Sequence, residues 1–322
     1  MSSNTTNNAD KKEETIVQNI KIIEDRAFYG SKNIHFKNIT MDNIEQNDCI
    51  FNESRNITIE DSIIILKYCI WHCHNITLCK TIIDENSRSS IWYCQNIEIV
   101  NCKINSVKAC RNCSNLTIKD SVINSDDFGW KCEGVKIINC KIDGVSQFLD
   151  SSNVSIDGVE FKSNYIFQYS DNIKVLNTTI DSKDCFWHAK NVYCKNCKIV
   201  GQYSGWYSEN CLFENCHIDS FMPFCYCKKL KLINCTLSNA SWCFEYSEVD
   251  ADIKGHVNSI RNFMSGKVVV DSLGEYIEEK PVKECKGVIE IRPKEEGQEK
   301  KWIYDIIVKY ILLYIKFILI NI

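Results

Sequence analysis

The phrase NIEIVNCKI at residues 96–104 recurs along the chain and decides the fold. It returns as NLTIKDSVI (115–123), GVKIINCKI (134–142), NVSIDGVEF (153–161), NIKVLNTTI (172–180), NVYCKNCKI (191–199), NCLFENCHI (210–218) and KLKLINCTL (229–237). Earlier copies are NIHFKNITM (33–41), NITIEDSII (56–64) and NITLCKTII (75–83). From residue 96 onward each copy starts 19 residues after the previous one, which indicates a solenoid of about eleven coils.

The spacing inside each copy indicates strands and turns. Apolar residues alternate at the second and fourth positions, which is the period of a β-strand rather than of a helix. Asn opens nine of the eleven copies, and Asn or Asp recurs five and nine residues later, as at Asn101 and Asn105 after Asn96. Both residue types tolerate left-handed backbone, so we expect a turn at each of the three columns. The pattern predicts an all-β, single-stranded parallel β-helix whose coils stack ~4.8 Å apart.

Most of the 20 Cys residues occupy positions in the repeat. Ser or Thr replaces Cys from one coil to the next, as at Ser121 between Cys102 and Cys140. A position that accepts all three residue types selects for small size, whereas a metal site requires the thiolate. The C-x-x-C pairs at 110–113 and 194–197 are also typical of half zinc sites, but each ends in such a column. We therefore expect packed, reduced thiols and neither a metal nor a cofactor.

Composition and charge limit the classes of function. A net charge of −4 and an isoelectric point near 5.9 give no basic surface, so no nucleic-acid partner is expected. Residues 1–15 lack the apolar core of a secretion signal and are predicted to form a disordered leader. Abundant Cys without an export signal favours a reducing, cytoplasmic location.

Longer phrases carry a family resemblance. The chain contains SKNIHFKN (31–38), IWYCQNIEIVNCKI (91–104), DCFWHAKNV (184–192), GWYSENCLFENC (205–216), WCFEYSEVDADI (242–253) and SGKVVVDSLGEYI (265–277). These phrases resemble an uncharacterised bacterial family with a pectin-lyase-like, right-handed parallel β-helix, over roughly residues 16–278. The resemblance implies the fold and its right-handed winding, which the spacing alone does not prove. It implies no activity.

One side of each coil, just before the opening Asn, is rich in aromatic residues. Three residues before successive starts lie His72, Tyr93, Asn112, Lys131, Asp150, Tyr169, His188, Tyr207, Tyr226 and Glu245. One position earlier is a column with Trp92, Trp130, Trp187 and Trp206, and one before that a column with Phe148, Phe167, Phe186 and Phe224. Strict alternation exposes the Phe column and buries the Trp column, whereas a bulge reverses that choice. The predicted ligand-binding face comprises Tyr93, Phe148, Phe167, Tyr169, Phe186, His188, Tyr207, Phe224 and Tyr226.

An aromatic wall on a long parallel sheet suits an extended ligand such as a polysaccharide, or a protein partner. The first hypothesis is therefore a non-catalytic scaffold. The alternative, by analogy of fold alone, is a polysaccharide lyase or glycoside hydrolase of the pectin-lyase-like type. Glycosidases need two carboxyl groups ~5–9.5 Å apart, and no such pair is expected on this face. Asp150, His188 and Lys131 are weak catalytic candidates. A purely structural protein is the third alternative.

The C-terminal segment differs from the repeats. Residues 279–301 are highly charged and are predicted to form a linker after a β-helix spanning 16–278. Residues 302–322 are hydrophobic and long enough to cross a bilayer as a helix. The charged residues Asp305, Lys309 and Lys316 fall on one helical stripe, which favours an amphipathic helix. We expect this helix either to contact a membrane surface or to cap the open end of the solenoid.

Overall fold

The chain folds into a parallel β-solenoid of about 14 turns. The computed structural model describes residues 14–42, 50–279 and 282–293, and within these ranges the regular structure is all β. The tail helix expected at 302–322, and most of the expected leader, lie outside the described residues. In the part of the chain that is described, no helix is both long and apolar enough to cross a membrane.

The first stack of strands begins each turn and contains the residues of the repeated phrase. Its members are β1 (Thr15–Gln18), β3 (Lys32–Lys37), β5 (Arg55–Glu60), β8 (His74–Cys79), β11 (Gln95–Val100), β13 (Ser114–Lys119), β15 (Glu133–Ile138), β17 (Ser152–Asp157), β19 (Asp171–Leu176), β21 (Lys190–Lys195), β23 (Glu209–Glu214), β25 (Lys228–Ser238), β26 (Glu248–Lys254), β28 (Ser265–Val270) and β30 (Val288–Ile291). Neighbours pair in parallel and in register, so that Ile97 lies opposite Leu116 and Leu116 opposite Val135. This confirms the predicted stacking of equivalent residues.

A second stack follows the first turn of each coil. It consists of β2 (Lys21–Ile22), β4 (Thr40–Asp42), β6 (Ile63–Ile65), β9 (Ile82–Arg88), β12 (Lys103–Val107), β14 (Val122–Asn124), β16 (Lys141–Val145), β18 (Glu160–Asn164), β20 (Thr179–Lys183), β22 (Lys198–Gln202) and β24 (His217–Phe221), and it continues onto the second half of β25. Two short pairs complete the sheets: β7 (Ile70–Trp71) with β10 (Ile91–Trp92), and β27 (His256–Arg261) with β29 (Ser272–Ile277). The remaining side of most coils is a turn-rich segment, called here the third side.

The predicted number of about eleven coils is wrong, because turns also form where the repeated phrase is not recognisable. β1 and β2 make a turn before the first copy of the phrase and pair with β3 and β4. After the last copy, β26, β28 and β30 extend the first stack. The strand Val288–Ile291 lies within the segment 279–301 that was interpreted as a linker, so the sheet continues into that segment.

Asn columns make two of the three predicted turns. At the opening position and five residues later, the backbone is left-handed, as in Asn115 (φ 55°) and Asn196 (φ 55°). Along each column one side-chain amide donates to the next: Asn115 Nδ2 lies 3.0 Å from Asn96 Oδ1. The column nine residues on is different, because strands run through it. Asn105 is inside β12 and does not have a positive φ, so the expectation of a turn there is wrong.

The small-residue column has a hydrogen-bonding role as well as a size limit. Ser121 Oγ donates to the carbonyl of Lys119 at 2.7 Å and accepts from the backbone N–H of Cys102 in the preceding coil at 3.0 Å. Cys140 makes the equivalent donation to the carbonyl of Ile138 at 3.2 Å. Cys, Ser and Thr interchange here because each supplies a small side chain that can donate a second hydrogen bond to a carbonyl already bonded to a backbone N–H, and can accept one from the preceding coil. Small size alone was therefore an incomplete explanation.

Candidate functional site

The third side positions the candidate residues through an unusual backbone. In one coil Ser146, Phe148 and Asp150 all have left-handed φ values of 62°, 57° and 54°, and residues between them do not. Amide hydrogen bonds alternate between neighbouring coils: Phe148 N–H donates to Phe128 and Asp150 N–H to Gln168. The segment is therefore held to both neighbours like a strand, but left-handed residues disrupt the alternation of inward and outward side chains.

This backbone corrects four of the predicted ligand-binding residues. Phe148, Phe167, Phe186 and Phe224 are each 0 % exposed. They point into the core, where Phe167 stacks on Phe148 and on Phe186 with ring centroids 5.4 Å apart in both cases. The neighbouring Trp column is half-buried at the surface instead. The bulge-like alternative weighed from the sequence is the correct one, and the Phe column cannot contact a ligand.

The remaining predicted residues form an outward column, called here the aromatic ladder. Tyr169, His188, Tyr207 and Tyr226 stack in consecutive coils. Their centroids are 5.1, 4.8 and 4.7 Å apart, and the planes deviate from parallel by 5°, 6° and 9°. Tyr246 continues the column at 5.9 Å with a tilt of 39°. The register of the solenoid thus brings these side chains into contact.

A second, shorter part of the aromatic ladder lies nearer the N-terminus. His72 and Tyr93 stack at 5.0 Å with an interplanar angle of 6°. Three polar residues, Asn112, Lys131 and Asp150, occupy the column between Tyr93 and Tyr169 and are called here the polar interruption. Four coil steps separate the two tyrosines, which corresponds to roughly 19 Å at ~4.8 Å per coil.

Stacking determines which parts of the rings can meet a ligand. Tyr207 lies between His188 and Tyr226, so both of its faces are covered and only its edge is exposed. Tyr93 and Tyr169 end the two parts of the ladder and are 44 % and 51 % exposed. Among the described residues, no aromatic ring covers the faces that these two tyrosines direct toward the polar interruption. These two tyrosines therefore mark the boundaries between stacked rings and polar side chains, and a ligand can contact their exposed parts together with the polar residues beside them.

Burial affects the protonation of two ladder residues. Partial desolvation lowers the pKa of His188, so the imidazole between two tyrosines is held in its neutral form. Desolvation, followed by the nearby Glu245 carboxylate, raises the pKa of Tyr226 to about 12. The Tyr226 hydroxyl therefore stays protonated and donates to Glu245 Oε2 at 3.4 Å. Both effects favour an uncharged ladder at neutral pH.

The Trp column beside the ladder contains one arginine. Arg111 occupies the position between Trp92 and Trp130, 19 residues from each, and its guanidinium lies 5.1 and 4.5 Å from the two indole rings. Arg111 was not among the residues predicted from the sequence, although the 19-residue spacing places it in the Trp column. Its position next to the polar interruption makes it part of the candidate site.

The three weak catalytic candidates do not form a catalytic arrangement. Asp150 and Lys131 are exposed members of the polar interruption, and His188 is stacked two coils beyond Asp150. Asp184 also lies on the third side. Burial raises the pKa of its carboxyl group, and the positive charge of Lys183 lowers that pKa by a smaller amount. Within the described part of the chain, no ion pair joins Asp150, Lys131, His188 and Asp184 to one another. Within the described ranges no group of three or more His, Cys, Asp or Glu side chains is placed to hold a metal ion.

A polar cleft adjoins the C-terminal end of the ladder. It has a volume of about 700 Å³ and is lined by Glu245, Tyr246, Arg261, Asn262, Glu278 and Glu279. Glu245 is 7 % exposed, and its Oε1 lies 3.4 Å from Arg261 Nε. Arg261 Nη2 also lies 3.4 Å from Glu279 Oε2. One guanidinium therefore bridges two carboxylates, an arrangement that joins residues 34 positions apart and was not evident from the sequence.

Together the register, the left-handed third side and the aromatic ladder define a parallel β-solenoid with an outward aromatic column. The family described as Protein of unknown function (DUF3737) matches residues 15–290, and the chain belongs to this family. Among solved structures, the A-module of mannuronan C-5 epimerase AlgE6 from Azotobacter vinelandii is similar, with 13 % identity and a TM-score of 0.25. The similarity covers 83 % of this chain and 76 % of that chain. No curated protein matches the sequence.

Proposed function

We propose that the protein is a non-catalytic scaffold that binds an extended polysaccharide along the third side. The supporting observation is that Tyr93 and Tyr169, which are 44 % and 51 % exposed, lie at the two ends of a polar interruption roughly 19 Å long. Sugar rings have apolar faces that pack on aromatic rings, and their hydroxyl groups need polar partners. Tyr93 and Tyr169 supply the rings, and Asn112, Lys131 and Asp150 supply the polar partners.

Rigid presentation favours binding by this surface. Each ladder residue is held by amide hydrogen bonds to a neighbouring coil, such as Tyr169 N–H to the carbonyl of Trp187 at 2.9 Å. The rings behind Tyr169 and Tyr93 restrict their rotation. A ligand therefore orders few side chains when it binds, which reduces the entropic cost of association.

Affinity electrophoresis against a panel of soluble neutral and acidic polysaccharides tests the proposal. Retardation of the protein by at least one polymer is expected, together with a change in tryptophan fluorescence from the adjacent Trp column. The double variant Tyr93→Ala/Tyr169→Ala should weaken this binding about tenfold or more, because two ring contacts of ~0.5–1.5 kcal/mol each are lost.

Tyr29→Ala is the matched control, because Tyr29 is 54 % exposed and lies outside the ladder. It should bind as the unmodified protein does. Absence of binding to every polymer, or equal binding by the double variant, would overturn the proposal. Binding by a purified protein partner with no polysaccharide binding would assign the surface to protein recognition instead.

Glycoside hydrolysis is the second candidate function, and the polar cleft favours it. Glu245 and Glu279 each lie 3.4 Å from the Arg261 guanidinium, which keeps the two carboxylates within the upper separation of about 9.5 Å that glycosidases use. A hydrolase should release new reducing ends from a bound polymer, and Glu245→Gln should abolish that release. A polymer that binds for hours without new reducing ends excludes this candidate.

A further inference from the structure

Arg111 is rigidly positioned by its two neighbouring tryptophans. The guanidinium lies between the Trp92 and Trp130 rings, at 5.1 and 4.5 Å from their centroids. Each indole is anchored in turn: Trp92 Nε1 donates to the Lys108 carbonyl at 2.8 Å, and Trp130 Nε1 donates to the Ser146 carbonyl. The two rings hold the guanidinium by cation–π attraction, so its orientation is set before any ligand arrives.

The guanidinium of Arg111 has no acidic partner among the described residues. No carboxylate oxygen lies within ion-pair distance, and its nitrogens donate no hydrogen bond to a protein acceptor there. Its Nε is buried and unsatisfied. Arg261 shares the buried, unsatisfied Nε and also lies over a tryptophan, at 5.4 Å from Trp242, but it differs in forming ion pairs with Glu245 and Glu279. Arg111 therefore presents a partly exposed cation that no carboxylate of the described residues pairs with, and a ligand carboxylate would supply the missing anion.

The charges around Arg111 leave room for such an anion. Lys131 lies one coil further on and is exposed, and Lys108 lies three residues earlier in the same coil. Asp127 is the nearby acid: it interacts electrostatically with Lys108 and Arg111 but forms an ion pair with neither. The exposed ring of Tyr93 is one coil away, and the Tyr93 amide donates to the Arg111 carbonyl at 3.1 Å.

We propose that Arg111 is an anion-binding subsite that receives a carboxylate of the extended ligand, so that the ligand is an acidic, uronate-containing polysaccharide. Arginine presents two parallel N–H donors that match the two oxygens of a carboxylate. The sugar ring packs on Tyr93 while its carboxylate meets Arg111, and Lys131 adds a second positive charge. The polysaccharide part of this inference rests on the proposed function, whereas the carboxylate subsite can be tested without it.

The first experiment titrates the full-length protein with glucuronate and with glucose and follows tryptophan fluorescence. Glucuronate should give a saturating change with a Kd on the order of millimolar, as expected for one charged, hydrogen-bonded contact, and glucose should give none. Arg111→Gln and Arg111→Met should both abolish the change, and Arg111→Lys should weaken it because a single ammonium lacks the paired donors. Arg55→Gln, at an exposed arginine in β5, controls for net charge. An identical response to the two sugars would overturn the subsite.

The second experiment compares a polyuronate oligomer with its methyl ester. The acid should bind at least tenfold more tightly, and Arg111→Gln should reduce that ratio to near one while binding to the ester persists. Thermal unfolding of each variant checks that the fold is retained. Arg111→Met is included because its long apolar side chain preserves the packing between the two tryptophans. Equal binding of acid and ester overturns the anion preference but leaves the proposed scaffold intact. A response to glucuronate without binding of any polymer would support the carboxylate subsite at Arg111 and overturn the proposal that the ligand is a polysaccharide.

Discussion

Left-handed backbone is repeated at the residues that face outward on the third side. Tyr169, His188 and Tyr207 have φ values of 56°, 54° and 58°, a region that costs ~1–2 kcal/mol for most L-residues and less for Asn. The Asn ladders use Asn at such positions, whereas the aromatic ladder mostly does not. Parallel ring stacking at 4.8–5.1 Å offsets the backbone cost. Backbone conformation alone would favour Asn at these positions, so Tyr and His are explained by what they present at the surface. This makes the aromatic ladder the best candidate for a binding site.

Replacing one ring of the buried Phe column and one ring of the aromatic ladder should change the free energy of unfolding by different amounts, because only the first is in the core. Phe186→Ala should lower the free energy of unfolding by ~3–5 kcal/mol, because a fully buried ring is removed from a stack. Tyr207→Ala should cost only about 1–2 kcal/mol, since the ring is 42 % exposed and loses mainly its two stacking contacts. Urea unfolding measures both values. A larger cost for Tyr207→Ala would mean that the inward and outward columns have been exchanged.

Asp184 should make stability depend on pH in a specific direction. Burial raises the pKa of Asp184 above its usual 3.8, so the native state holds the proton more tightly than the unfolded chain does. The carboxyl has no effect on stability well below pH 3.8, and it destabilises the protein as pH rises through the raised value. Asp184→Asn should therefore increase Tm by about 1–2 °C at pH 7, with the pH-dependent part of the gain vanishing near pH 3.

Asn also favours left-handed backbone, and Asp184 has φ 52°. Asp150→Asn controls for that effect, because Asp150 has φ 54° and its side chain is exposed. A difference between Asp184→Asn and the unmodified protein that stays constant from pH 3 to pH 7 would contradict the prediction.

Sequence periodicity was sufficient for some residues and insufficient for others. The Ile column could be placed inside because Ile104, Ile123 and Ile142 recur at 19-residue spacing in regular strands, and each is at most 1 % exposed. The Phe column could not, since period-two alternation does not hold in a segment where every second residue is left-handed. Arg111 was missed for a related reason: its role depends on two tryptophans 19 residues away on either side, which are neighbours only after the coils stack.

At the scale of elements, side-chain ladders hold the edges of the stacks together. Asn172 Nδ2 donates to Asn153 Oδ1 at 2.6 Å, and Asn210 Nδ2 to Asn191 Oδ1 at the same distance. Inside the turn, the small-residue column accepts hydrogen bonds from buried backbone N–H groups of the preceding coil, as Ser121 Oγ does from Cys102 N–H at 3.0 Å. Gly134 replaces Asn in one coil, with φ 68°, and interrupts the ladder without breaking the turn. Left-handed geometry is thus the strict requirement, and the amide contact is additional.

Substitution of Asn172 should separate these two contributions. Asn172→Ala should cost ~2 kcal/mol, because alanine is strained at φ 55° and the hydrogen bond to Asn153 is lost. Asn172→Gly should cost about 1 kcal/mol or less, since glycine accepts the backbone conformation. Asn105→Ala, within β12, should stay within about 0.5 kcal/mol of the unmodified protein. Urea unfolding distinguishes the three, and equal costs for Ala and Gly at position 172 would show that left-handed strain is negligible.

For the whole molecule, stability is distributed among neighbouring coils rather than held by one central core. Each first-stack strand pairs only with the strands of adjacent turns, as β17 does with β15 and β19. Because the coils repeat, one aligned phrase was enough to predict the architecture and the register in which equivalent residues stack. It did not reveal the turns at either end, where β1 and β30 stack although their sequences lack the phrase. Terminal turns have a neighbour on one side only, so their sequences are subject to different requirements.

Removal of one complete coil tests this description of the whole molecule. Deletion of residues 134–152 removes one 19-residue repeat and joins Glu133 to Asn153, the residue equivalent to Gly134. Every column stays in register, and Asn115 gains an Asn neighbour in place of Gly134, so a soluble monomer with Tm within a few degrees of the original is expected. Deletion of 134–153 is one residue longer and turns the next side chains to the wrong face, so it should aggregate or unfold early. Similar behaviour of the two deletions, in light scattering and thermal unfolding, would contradict the stacked-coil account.

The in-register deletion also brings Tyr169 ~4.8 Å closer to Tyr93. The deletion also removes Asp150, so Asp150→Ala is its control: loss of polysaccharide binding by the well-folded deletion protein but not by Asp150→Ala would show that the ligand spans the polar interruption.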